Sequence, residues 1–391
     1  MKIIIRATII AFAAWVIDSF KTKFIIIEVR IMNDLIMKKC ELLVNNKNAI
    51  HRKFLFENDL MSVVAGLIFT EADKEADIEK MRECRKILRK KTNIFSKLRA
   101  TVELALLSSM ALSEDPEKYI NDVTEVYEKF SKLKLVDNTY MVLASMLICD
   151  TGGIDDIDDI IAKSDEIMKQ MDKKHPFLTS SEDTSFSVLL ALSYKDVDTI
   201  INDIEEGYSY IKKTYKSGVT SNAVQCLCEV LAVTYGDMKS KCDKVMRIYK
   251  AFDERKSPFG KEQEFAAIGT LTDINLSPDE LAGEILETDE FLKNQSGFKS
   301  MDKSRRMMYA TLLVADVYGK DAAIISNPLI SNTLSIITAQ RIAKIISIIG
   351  NIAPSIAGAI VDSLAEVENK EGIEAEEISA EAESTEGNNK D

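Results

Sequence analysis

Six large apolar residues set the rhythm of this chain: Ile87, Tyr127, Met168, Tyr208, Tyr249 and Phe291 follow one another at intervals of 40, 41, 40, 41 and 42 residues. Each stands in the second of two helix-like segments, the first of which is rich in small apolar residues. Self-similarity at this period is the mark of stacked two-helix units. A single such unit cannot bury its own apolar face, so successive units must stack on a shared core. The spacing predicts an all-α chain of about seven stacked α-hairpin repeats of ~40 residues, a HEAT/TPR-like solenoid. A closed α/α toroid satisfies the same pattern.

The segments carry helical periodicity. Val197, Ile200, Ile201, Ile204, Tyr208 and Ile211 form one stripe, and Ile157, Ile160, Ile161, Ile167, Met168 and Met171 another, with Asp155, Asp156, Asp158 and Asp159 on the wet side. Start signals agree. Ser277-Pro278-Asp279-Glu280 reads as a capping box with proline at the first helical position, and Asp115-Pro116, Asp196 and Gly218-Val219-Thr220 mark other boundaries. No stretch between glycine-rich turns alternates long enough to require a sheet.

Composition narrows the setting. Six cysteines scattered through 391 residues, and only two histidines, do not form the paired spacing of a disulfide scaffold or a zinc site. A reduced, cytoplasmic protein without metal or cofactor is expected. The formal net charge is −13, yet ten carboxylates against two lysines in 366–391 account for −8 of it. Nucleic acid is disfavoured as a partner, since lysines and glutamates are interspersed and no dense basic stripe stands out.

Four regions follow: a leader at 1–31, the hairpin repeats at 32–320, apolar C-terminal helices at 321–365 and an acidic tail at 366–391, expected to be disordered for want of apolar residues. The leader's apolar run, residues 7–17, is too short to span a bilayer. Glu28-Val29-Arg30 can be encoded by a purine-rich string resembling a ribosome-binding site, which places the expected start of translation at Met32 or Met37. Residues 322–361 read as a terminal helix pair, with membrane contact through the same segment as the competing reading.

Several stretches, among them Lys38-Lys39-Cys40-Glu41-Leu42-Leu43, Glu57-Asn58-Asp59-Leu60-Met61, His175-Pro176-Phe177-Leu178-Thr179-Ser180, Ser221-Asn222-Ala223-Val224-Gln225 and Met307-Met308-Tyr309-Ala310, resemble the bacterial DUF4003 family from residue 32 to about 340. The resemblance implies a bacterial, Gram-positive origin and a start near Met32. It implies no activity and no site residues, because the family is functionally uncharacterised.

No nucleophile, phosphate loop or metal motif assigns a catalytic residue. The most site-like segment runs from His175 to Asp183; its plainer reading makes Phe177 and Leu178 a plug in the core and residues 179–183 a helix start. Corresponding positions at the starts of the first helices, Glu103, Tyr140, Glu182 with Asp183, Asn222 with Gln225, Glu262 with Glu264, and Arg305 with Arg306, align into a polar row. Its centre, Glu182, Asp183, Asn222 and Gln225, is the candidate binding surface for a basic protein or peptide. The expected function is a protein-binding or scaffold module. Two rivals are a toroid enzyme with Glu103, Glu182, Asp183 and Glu262 around an acidic cavity, and a peripheral membrane protein. Arg82, Arg85, Lys86, Arg89, Lys90 and Lys91 form a dense cationic cluster, read as a solvated face or as a docking patch for an acidic partner.

Overall fold

The computed structural model describes residues 32–54, 59–93, 96–133, 139–179, 183–193, 195–233 and 236–321, in helices with no strand among them. The leader, the apolar segment 322–361, the acidic tail and Glu182 lie outside the described residues. Thirteen α-helices are numbered here in chain order: α1 Asp34–Lys53, α2 Asp59–Glu71, α3 Ile78–Lys91, α4 Glu103–Leu112, α5 Pro116–Ser131, α6 Thr139–Asp150, α7 Ile157–Lys174, α8 Thr184–Ala191, α9 Val197–Thr214, α10 Ser221–Ala232, α11 Met238–Glu254, α12 Pro278–Lys293 and α13 Lys303–Asp321. Two 3-10 segments, Lys97–Arg99 and Gln263–Leu271, complete the set.

Two series alternate along the chain. α4, α8, α10 and the 3-10 segment Gln263–Leu271 are buried along nearly their whole length, as expected for helices that are apolar or small on every face. Together with α2, α6 and α13 they make an inner series in which each packs on the next. α3, α5, α7, α9, α11 and α12 form an outer series, with a buried stripe and a charged face. All six rhythmic residues fall on successive outer helices, but Tyr249 alone among them is fully buried. The deepest line lies one position away, at Leu88, Val126, Ile167, Ile248 and Leu292. Gly207 takes that line on α9, where an added Cβ would meet Cys228 Sγ at 3.0 Å and Met238 Sδ at 3.1 Å.

The first and last described helices touch. α1 packs on α2 and also on α12 and α13. Lys39 of α1 reaches Asp316 of α13 at 2.6 Å, Asp73 at 2.6 Å and the Thr70 carbonyl at 2.7 Å. Asn33 Nδ2 donates to the Tyr318 hydroxyl at 3.3 Å. An extended stack with two free ends makes no such contacts.

Local chemistry sets the boundaries. Ser277 and Glu280 form the expected capping box, and Asp115, Asp196 and Thr220 cap their helices through side-chain oxygens. Gly218, at φ +69°, occupies the left-handed region that turns the chain from α9 into α10. At the opposite end, lysines donate to the last carbonyls of inner helices: Lys80 to Ser113 at 2.9 Å, Lys163 to Ser193 at 2.8 Å, Lys195 to Ala232 at 2.8 Å and Lys241 to Leu231 at 2.9 Å. A cation there meets both the unpaired carbonyls and the negative end of the helix dipole.

The cysteines are free thiols, and all but Cys149 are buried. Burial pushes Cys84 up to about 11 and Cys40 and Cys242 up to about 12, far from the range of a reactive thiolate.

Candidate functional site

The linkers differ at the two ends of the helix stack. Most of those entering the inner helices, such as 92–102, 175–183, 255–262 and 294–302, are longer than those entering the outer ones, such as 113–115, 192–196 and 233–237, the exceptions being 54–58 and 215–220. The expected polar row stands at the end with the long linkers, because every inner helix starts there.

The row does not survive as a uniform surface. Glu103 is buried and receives a hydrogen bond from Arg85 Nε. Arg306 is spent on a buried ion pair with Asp289 of α12, Nε to Oδ1 at 2.7 Å, and also donates to the Met301 carbonyl at 3.1 Å. Arg305 bridges to Asp302 at 3.2 Å. Glu262 is exposed, 3.5 Å from the Thr220 hydroxyl, whereas Tyr140 and Glu264 are buried. A basic end to the row, available to a ligand, is therefore absent at Arg306.

The segment 175–179 also departs from expectation. Phe177 is 98% exposed and plugs nothing. His175 closes α7 instead, its ring 4.8 Å from that of Tyr208 and its Nε2 2.9 Å from Glu205 Oε1. Asp183 precedes α8 but makes no capping hydrogen bond. It is buried, which the capping reading does not require.

The Asp183 charge acts on a residue the polar row left out. Glu229 lies two turns into α10 and is completely buried, in a run of Ala, Val, Cys and Leu. Gln225, one turn earlier and 2% exposed, donates from Nε2 to Glu229 Oε1 at 3.1 Å. Burial holds the Glu229 carboxyl well above the usual range, and the nearby Asp183 charge pushes it the same way; the Gln225 hydrogen bond opposes them. Gln225 Oε1 and Glu229 Oε2 have no hydrogen-bond partner among the described residues. Asn222, one turn before Gln225, is half-buried at the rim.

Of the four candidate residues, then, Asp183 and Gln225 meet around Glu229, Asn222 stands above them, and Glu182 lies outside the described residues. The signal for Glu229 was present in the sequence. It is the one acid in a helix otherwise free of charge, four residues after a glutamine, and a charge on a helix apolar all round has no solvated face to occupy.

Such a centre can hold a proton on Glu229 and offer the Gln225 carbonyl and the Asp183 carboxylate as acceptors, so it suits a donor-rich or cationic group. Among the described residues no group of three or more His, Cys, Asp or Glu is placed to hold a metal ion, and no helix is long and apolar enough to cross a membrane.

No curated protein and no solved structure matches the chain. The model of one family does, described as a protein of unknown function (DUF4003), over residues 46–342. That match spans more than half of the sequence and takes in the inner helices from α2 to α13, so the chain belongs to the DUF4003 family.

Proposed function

We propose that the protein is a closed ring of α-hairpins, an α/α toroid rather than an open solenoid, that binds a basic protein or peptide segment at the end bearing its long linkers. The contacts of α1 with α12 and α13 support the ring. Support for a cationic ligand comes from one observation: the Gln225 Oε1 acceptor is buried without a hydrogen-bond partner among the described residues, next to Glu229, whose Oε2 is likewise unpaired, and the Asp183 charge is close enough to act on Glu229. An unpaired buried acceptor is costly, on the order of 1–3 kcal/mol, and a bound donor removes that cost. Because these atoms are enclosed, the group that satisfies them is a single inserted side chain, the ammonium of a lysine or the guanidinium of an arginine. Asn222 then belongs to the mouth and the main chain of the ligand passes over it.

Fluorescence anisotropy with labelled lysine-rich, arginine-rich and glutamate-rich peptides tests this. The basic peptides should bind, and Asp183→Asn with Glu229→Gln should weaken them tenfold or more, about 1.4 kcal/mol. Equal binding of acidic and basic peptides, or a double variant that binds as the parent does, would sink the proposal.

The same pair of carboxyls favours a second reading, acid–base catalysis, since burial keeps a proton on Glu229 near a second acid, Asp183. Turnover of glycoside or ester substrates that disappears in Glu229→Gln and falls as pH rises would favour the enzyme over the binding module.

A further inference from the structure

The sequence shows one dense cationic cluster, and the fold enlarges it. The last turn of α1 carries Arg52 and Lys53, and the last turn of α3 carries Lys90. α1 and α3 are neighbours, and the Arg85 side chain of α3 sits 5.0 Å over the ring of Phe54, the residue that follows Lys53. The linker that leaves α3 adds Lys97 and Arg99. Lys86 precedes Lys90 by one turn on the exposed side of α3, away from the buried Met81, Cys84 and Leu88. Five of these six side chains are exposed and Arg99 is half-buried.

Apart from Glu83, exposed on α3 three residues before Lys86, the nearby acids are committed or distant. Glu79 pairs with Arg82 at 2.9 Å, Glu103 with Arg85, and Glu117 approaches Lys91 at 3.9 Å. None of Arg52, Lys53, Lys86, Lys90, Lys97 and Arg99 has an ion-pair partner among the described residues. The helix dipole favours cations in a last turn, which covers Arg52, Lys53 and Lys90. It gives no reason for Lys97 and Arg99, which lie beyond the helix. Six like charges gathered on a chain of net charge −13 repel one another, and a matching anion relieves that repulsion.

We propose that the acidic C-terminal segment 366–391 of this same chain docks on the surface formed by the end of α1, the exposed side of α3 and the turn Lys97–Arg99. Charge matches: ten carboxylates against two lysines give the segment −8, facing six unpaired cations. Reach is ample. Residues 322–365 intervene, and even as helices, at ~1.5 Å per residue, they have a contour of roughly 66 Å, whereas a helix the length of α1 is only about 30 Å long. Covalent attachment makes the encounter intramolecular, so the segment holds an advantage over a free anion of similar charge. The occupied surface adjoins the long-linker end, and its occupant is acidic, so this contact is independent of the basic ligand proposed for the Glu229 centre.

Zero-length carbodiimide coupling of the full chain, which joins a lysine amine to a carboxylate only at contact, decides the matter. An equal mixture of 14N- and 15N-labelled protein separates links within one molecule from links between two. Links from Lys53, Lys86, Lys90 or Lys97 to glutamates in 366–391, within single molecules, are expected. They should fall at least tenfold in 1 M NaCl, where the screening length is about 3 Å. The folded variant Arg52→Glu, Lys53→Glu, Lys90→Glu, Lys97→Glu keeps the Lys86 amine, and its links from Lys86 should fall by a similar factor. Links found only between molecules, links to the tail spread over all surface lysines, or no tail links at all overturn the proposal. Binding of an added acidic peptide equally well to the full chain and to residues 1–365 would also overturn it, by assigning the surface to a separate partner.

Discussion

At the scale of single residues, Glu229 ties stability to pH in an unusual direction. Its folded-state proton affinity is raised by burial, so the folded protein holds a proton that the unfolded chain releases above the ordinary glutamate range. The contribution is fully present below pH 4.5, the ordinary value, and is lost as pH rises toward the folded value. Glu229→Gln keeps the shape and removes the titration. Urea denaturation at pH 4 should show the variant and parent alike, and at pH 7 the variant should have the higher urea midpoint. A variant less stable at pH 7 contradicts a neutral, buried Glu229. Tyr208 illustrates the limit of reading burial from periodicity. It is half-buried against His175, so Tyr208→Ala should cost about 1–2 kcal/mol, while Ile204→Ala, at a position 2% exposed, should cost about 2–5 kcal/mol. The reverse order in chemical denaturation would restore Tyr208 as the anchor.

Between elements, two devices carry the packing, and only one was visible in advance. The capping box at Ser277, the proline at the start of α5 and the glycine before α10 are local, so their residue types announce them. The lysines at the ends of inner helices work between hairpins. Lys80 and Lys163 stand 83 residues apart, two repeat lengths, and each reaches a carbonyl thirty or more residues further on. Without the hairpin geometry they read as ordinary surface lysines, yet burial lowers the proton affinity of Lys163 and brings Lys241 down to about 8. Gly66 marks the closest approach of two helices. A Cβ there would meet the Lys47 backbone nitrogen at 2.8 Å and its Cα at 3.1 Å, and a backbone cannot step aside as a side chain can. Gly66→Ala should therefore lower stability by about 1–3 kcal/mol despite alanine's better helix propensity. A thermal melt unchanged or raised by this substitution would show that α1 and α2 can separate at no cost.

For the molecule as a whole, the seam between α1 and α13 is the decisive interface. Lys39 is buried and receives its counter-charge from Asp316, with Asp73 and a carbonyl completing its shell. Removing it takes a buried counter-charge from Asp316, and breaking a buried pair typically costs about 3–5 kcal/mol. Lys39→Met should raise hydrogen exchange in α1, α12 and α13 while leaving α7 to α9 protected, because the seam opens before the stack does. Exchange that rises evenly over all helices would mean that the seam has no separate stability.

The sequence by itself determined the helical class, the alternation of small-residue and amphipathic helices, their approximate number and most of their boundaries. All of these follow from local periodicity and from capping groups a few residues apart. The polar row read from the sequence includes Gln225, which hydrogen-bonds Glu229, and Asp183, whose charge acts on Glu229. Tertiary structure alone decided that α1 meets α12 and α13, that Arg306 is consumed by Asp289, that Phe177 stands in solvent, and that Glu229 rather than Asn222 lies at the centre of the polar group. These depend on which residues, far apart in the chain, share one dry or charged environment. Local periodicity specifies each helix, but small rotations between neighbouring helices accumulate along the chain, and only their sum fixes whether the first and last described helices meet.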